Sequence, residues 1–181
     1  MKTRYFSTFQ LVLLALFAAL IVVAKISLRL PLQLSGHSGL FWMAIMIVGA
    51  GIVNKRGAAS LIGLTSGILA AFLGMGDFGA INTFLSYTAV GIGTDLAMFL
   101  LPNLEDPISA TIVAAIGHTA KFLVKWLFGI LTGAPVGFLA LGLLWAMISY
   151  IFFGGLGGLL GSLTLKALRK AGFFVYMAEK R

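Results

Sequence analysis

Gly117-His118-Thr119-Ala120-Lys121-Phe122-Leu123-Val124-Lys125-Trp126 puts three ionisable side chains inside the fifth long apolar segment of the chain. His118, Lys121 and Lys125 fall at i, i+3 and i+7, so a helix carries all three on one face. A charge at the centre of a membrane-spanning helix costs roughly 2.5–3.5 kcal/mol, and such residues normally face a bundle interior or a wet cavity. A face of this kind predicts a place where something polar binds or passes.

The surroundings read as lipid-soluble. Of 181 residues, 60% are hydrophobic and 10% charged, and the mean hydropathy is +1.07. Soluble domains carry about 25% charged residues. The length accommodates about six spans of about 20 residues each. The expected fold is therefore an all-α integral membrane protein, one domain over 1–181. Its helices are expected at about 8–27, 40–53, 58–73, 80–101, 108–131 and 136–168. The apolar run behind Met1-Lys2-Thr3-Arg4 shows no convincing signal-cleavage site and reads as a retained first helix. Absence of cysteine excludes disulfides and thiolate metal sites. The net charge of +8 would point to nucleic acid in a soluble protein; here the basic residues sit at helix ends and address lipid headgroups.

Their distribution sets the orientation. With both termini cytoplasmic, that side holds Lys2, Arg4, Lys55, Arg56, Lys166, Arg169, Lys170, Lys180 and Arg181, against Lys25 and Arg29 outside. Six spans return the C-terminus to the side of the N-terminus. The connection with His37, the one with Asp77 and the Pro135 turn then face outward. The expected location is a cell membrane, crossed several times.

Within that frame the polar residues gather in the outer half: His37 in the first loop, Asn82, Thr83, Ser86 and Tyr87 early in helix four, and His118, Lys121 and Lys125 in helix five. An externally open pocket fits this better than a pore, which needs polar residues through the inner half as well. Candidate ligand-binding residues are His37, Asn82, Tyr87, His118, Lys121 and Lys125, with Trp42, Trp126 and Trp145 as further stacking surfaces. Each has a structural counterpart. Lys125, like Lys25 and Arg29, has the stem to snorkel to headgroups, Lys121 has Asp95 as a possible ion-pair partner, and His118 is equally suited to an interhelical hydrogen bond. Two histidines without cysteine support no protein-only metal cage, so neither metal nor cofactor is expected. There is no His-Glu-x-x-His, Gly-x-Ser-x-Gly or phosphate loop. The chain is not expected to be an enzyme, and ATP coupling would come from a partner.

Small-residue spacings recur: Ala15-x-x-x-Ala19, Gly63-x-x-x-Gly67, and two overlapping ones within Gly154–Gly161. Such spacings let helices approach closely. The topology, the Ala15/Ala19 pair, the turn Asn54-Lys55-Arg56-Gly57-Ala58, the segment Gly91-Ile92-Gly93-Thr94-Asp95 and the Gly-rich end of helix six running into Lys166–Lys170 resemble the S component of an energy-coupling factor (ECF) importer. The nearest patterns are its thiamine-precursor and cobalt/nickel types. The start Met1-Lys2 departs from the Met-His of the metal type, and Gly63 to Leu73 lacks the acids of the thiamine-precursor type. The resemblance implies a substrate-binding subunit for a small water-soluble micronutrient, a vitamin or vitamin precursor. It implies a transmembrane T component docked through Ala15 and Ala19, and two cytosolic ATPase subunits. A cobalt or nickel S component and a non-transporting membrane scaffold are the alternatives.

Overall fold

The computed structural model describes residues 6–27, 36–76, 78–133 and 136–174. Lys2, Arg4, Arg29, Asp77, Pro135, Lys180 and Arg181, used above for orientation and loops, lie outside them. The described chain is helical throughout: α1 Thr8–Ser27, α2 Gly39–Val53, α3 Ala58–Phe72, α4 Gly79–Leu100, α5 Pro107–Leu131 and α6 Val136–Lys170. Four helices are long and apolar enough to cross a membrane, while α2 and α3 are shorter apolar helices. This is a helical membrane protein.

Local chemistry sets the helix ends. Ser7 and Gln10 cap α1 reciprocally: the Ser7 amide donates to Gln10 Oε1 at 3.1 Å and the Gln10 amide to Ser7 Oγ at 3.3 Å. Asn54 stops α2 in the left-handed region, φ 46°, with its amide returned to the Ala50 carbonyl, and Gly57, φ 87°, opens α3. Pro107 occupies the first turn of α5 behind Asp106, whose carboxylate accepts from the Ser109 amide and hydroxyl, each at 2.8 Å.

α2 is the central element. It packs against α1, α3, α5 and α6 and buries residues on all sides, from Gly39 and Trp42 to Ile52 and Val53. A helix enclosed this way has no use for a polar stripe, and α2 has none. Its closest contacts run through glycines of α6. A Cβ on Gly157 would come within 2.8 Å of the Gly39 and Leu40 carbonyls, and one on Gly161 within 2.8 Å of Ile47. The offset row, Gly154 and Gly158, meets Ala114 and Ala110 of α5, and Gly63 and Gly67 seat α3 on α4 at Tyr87 and Phe84. Ala15 on α1 is exposed and Ala19 half-buried, so this pair is not spent on internal packing.

Gly157→Ala should destabilise the bundle by about 1–3 kcal/mol, the usual range for overpacking, whereas Gly142→Ala, with nothing within 4 Å, should not. Thermal unfolding in detergent compares the two; equal melting temperatures would remove the close-approach argument. The Ser109 hydrogen bonds hold the Asp106 carboxyl below its usual range. A lowered native pKa stabilises the fold above the unfolded value and is lost as pH falls through the native one. Asp106→Asn should therefore flatten the acid limb of the melting temperature against pH.

Candidate functional site

At the Gly39 end of the bundle, α2, α4, α5 and α6 each direct an aromatic or ionisable side chain inward. Trp42 stands in the first turn of α2, with its ring centroid 5.3 Å from Tyr87 of α4 and 5.4 Å, edge-on, from His118 of α5. His118 lies 4.7 Å from Tyr150 of α6, which in turn packs on Phe122 at 5.6 Å. Offset and edge contacts at these separations are the favourable ones for aromatic pairs.

His118 is fully buried and ties two helices together. Its Nδ1 sits 2.8 Å from the Tyr150 carbonyl. A carbonyl only accepts, so the tautomer inferred from this contact has the proton on Nδ1 and, in the neutral ring, a lone pair on Nε2. Gly154 makes the approach possible, since a Cβ there would lie 2.6 Å from His118 Cβ. Gly39 is likewise pressed against the imidazole, with room for no side chain.

Lys121 is 5% exposed, and its Nζ lies 4.6 Å from the Trp42 centroid and 4.9 Å from that of Tyr87. A cation held over aromatic faces gains about 0.5–2 kcal/mol, more when desolvated. Lys25, at the end of α1, also turns inward: its Nζ is 5.2 Å from the Tyr87 centroid. It is thus a second cation on the same ring, a contact that the headgroup role read for it from the sequence does not include.

The ion pair between Lys121 and Asp95 does not form. Asp95 instead caps α3 from the side of α4, accepting from the Ala59 amide at 3.3 Å and the Ser60 amide at 2.7 Å. Asp95 is two helical turns along α4 from Tyr87, toward the Asn54 end, and two free amides at a helix start attract a carboxylate strongly.

Of the remaining candidates, Asn82 and Ser86 share the buried face of α4, where the Ser86 hydroxyl donates to Asn82 Oδ1 at 2.8 Å. Thr83 fastens the α3–α4 connection by donating to the Met75 carbonyl at 2.6 Å. Lys125 is half-buried one turn beyond Lys121, and His37 is half-buried in the turn leading into α2. Trp126 is half-buried, and Trp145, 66% exposed, faces outward, so it joins no stacking surface. The sequence reading drew the polar residues from the first loop and helices four and five; α2, through Trp42, and α6, through Tyr150, close the cluster around them. Tyr150 and the inward role of Lys25 were missed. Gly36, φ 81°, packs against the Tyr150 ring, so the chain entering α2 closes over the cluster.

At the opposite end a cleft of about 300 Å³ is lined by Asn54, Asn103, Glu105, Leu165 and Arg169 among others, with Arg169 donating to Glu105 across it. Among the described residues, no three histidine or acidic side chains converge.

Compared with protein-family models, curated proteins and solved structures, the chain matches none of them.

Asp95→Ala should cost about 1–2 kcal/mol, as loss of a helix cap does, and lower the melting temperature without altering any ligand dependence of it. A changed ligand response in that variant would reconnect Asp95 to the cluster.

Proposed function

We propose that the chain is the membrane-embedded substrate-binding subunit of an ATP-driven importer of the energy-coupling-factor class, taking up a small water-soluble micronutrient. In this reading all six helices cross the membrane, both termini are cytoplasmic, and the Gly39 end opens outward. One observation carries it: Lys121 is buried between the Trp42 and Tyr87 rings inside a chain otherwise built for lipid. Intramembrane cations are retained chiefly where they bind or move something polar. Lys121 supplies charge to a ligand, the aromatic faces supply stacking, and the segment at Gly36 keeps water away from both. Asn82, His118, Lys125 and His37 are the further contacts of this pocket.

The outward face of α1 at Ala15 and Ala19 supports docking of a transmembrane partner, because small side chains let a second helix approach and leave without unpacking. ATP hydrolysis belongs to cytosolic partner subunits. The cobalt or nickel alternative finds little support in a histidine whose Nδ1 is committed to a backbone carbonyl. A non-transporting scaffold draws on the tight closure of the cluster, with Trp42, Tyr87 and His118 each at most 2% exposed. It predicts no ligand dependence of melting.

Affinity purification of the tagged full chain from its own membranes tests the assignment. A transmembrane partner and two ATPase subunits should co-purify, and Ala15→Leu with Ala19→Leu should reduce their recovery at least about tenfold while leaving the melting temperature in place. Purification without ATPase subunits would overturn the importer reading. Stoichiometric cobalt or nickel on elemental analysis would replace the organic ligand with a metal.

A further inference from the structure

The α2–α3 turn places two consecutive cations at the Asn54 end of the bundle. Between Asn54 (φ 46°) and Gly57 (φ 87°), their side chains reach different neighbours. Lys55 Nζ lies 5.7 Å from the centroid of the Phe6 ring ahead of α1, and the Arg56 guanidinium carbon 4.9 Å from that of Phe99 near the end of α4. Arg56 is exposed, and apart from this ring contact it makes no hydrogen bond or ion pair with the described residues. The acids at this end are engaged elsewhere: Asp95 by the Ala59 and Ser60 amides, Asp106 by Ser109, and Glu105 by Arg169.

Phe99 itself lies outside the core. It is 66% exposed and continues a stripe with Leu96, 67% exposed, and Ile92, 47% exposed. The spacing i, i+4, i+7 puts all three on one face of α4. α3, seated on α4 where Gly63 meets Gly91, adds exposed Leu64 and Ile68. A cation at the head of an apolar stripe is the complement of an amphiphile with an anionic head and an apolar tail.

A guanidinium suits such a head. It stacks on an aromatic ring through its face, which leaves the N–H groups of its edge to hold two phosphate oxygens at once. We propose that Arg56 and the Ile92–Phe99 stripe form a site for an anionic phospholipid, with the phosphate on Arg56 and an acyl chain along α4 beside α3. Lys55, one residue back, adds to the positive potential that favours an anionic lipid over a zwitterionic one. The bound lipid gives the start of α3 a second fastening to α4, next to the Asp95 cap. This site lies at the opposite end of the bundle from the aromatic cluster and does not rest on the importer reading.

The test uses the purified full-length chain in neutral detergent micelles doped with phosphatidylglycerol, or with phosphatidylcholine of the same acyl chains. Melting temperature is read against lipid mole fraction, and retained lipid by native mass spectrometry. Phosphatidylglycerol should raise the melting temperature and stay bound, and phosphatidylcholine should need at least about fivefold more lipid for the same shift. Glycerol 3-phosphate, the head without its chains, should give no shift at millimolar concentration. Arg56→Gln should weaken the phosphatidylglycerol response at least about fivefold in apparent affinity, the effect of one basic residue at a membrane surface. Lys170→Gln removes an equal charge from another exposed position at this end, and should leave the response within about twofold, since exposed charges are screened over short distances. Phe99→Ala removes an exposed ring rather than a core one; its expected loss of at least about threefold keeps the site testable if Arg56→Gln fails to fold. No shift with phosphatidylglycerol, an equal shift with phosphatidylcholine, or a shift with glycerol 3-phosphate would overturn the lipid site. Equal losses in Arg56→Gln and Lys170→Gln would overturn it in favour of diffuse attraction to the whole basic end.

Discussion

The close approach of α6 to its neighbours governs this molecule. One glycine row of that helix receives α5 and the other receives α2. In lipid there is no hydrophobic drive to hold helices together, so backbone-to-backbone proximity and the dispersion it permits must do so. The same proximity positions the chemistry. Gly154 lets His118 reach the Tyr150 carbonyl, and Gly157 draws the start of α2 alongside, so that Trp42 meets His118 and Lys121. Separate α6 from α5 by one methyl group and the cluster has no geometry left.

The described acids gather at one end of the bundle, while cations lie over rings at both ends. At the Asn54 end, acids serve structure: Asp95 caps α3, Asp106 caps α5, and Glu105 pairs with Arg169. At the Gly39 end, cations lie over aromatic rings. Helix capping is a local, inexpensive use of a carboxylate. Burying an ammonium group is neither, and the ring quadrupoles offset part of that cost.

The helices were legible because apolar runs are punctuated by residues with unambiguous conformational meaning. Asn54-Lys55-Arg56-Gly57, Pro102 to Pro107 and Gly133 stop helices for steric reasons that need no tertiary knowledge, and every boundary agreed within two residues. The i, i+3, i+7 face of α5 was also legible, as was the burial of Lys121. What was not legible depends on which helix lies beside which. Helical spacing says that Lys121 and Asp95 both point inward, but not that they sit at different depths with α3 claiming the acid. A lysine at the end of an apolar helix looks the same whether it snorkels or turns inward, so Lys25 gave no warning. Trp42 and Trp145 are indistinguishable as residues; only packing makes one the floor of the cluster and sends the other outward. Tyr150, one aromatic among many in α6, carried no signal at all.

The unequal helix lengths bear on the surrounding lipid. α3 has fifteen residues, roughly 22 Å, and exposes Leu64, Ile68, Leu69 and Phe72 along its flank. α6 runs thirty-five residues, roughly 52 Å. A hydrocarbon layer of about 30 Å is too thick for the first and too thin for the second. α6 must lean or project beyond such a layer, whereas α3 is shorter than the layer is thick. The apolar flank of the bundle is therefore of unequal height, low where α3 ends at the exposed Phe72 and tall along α6.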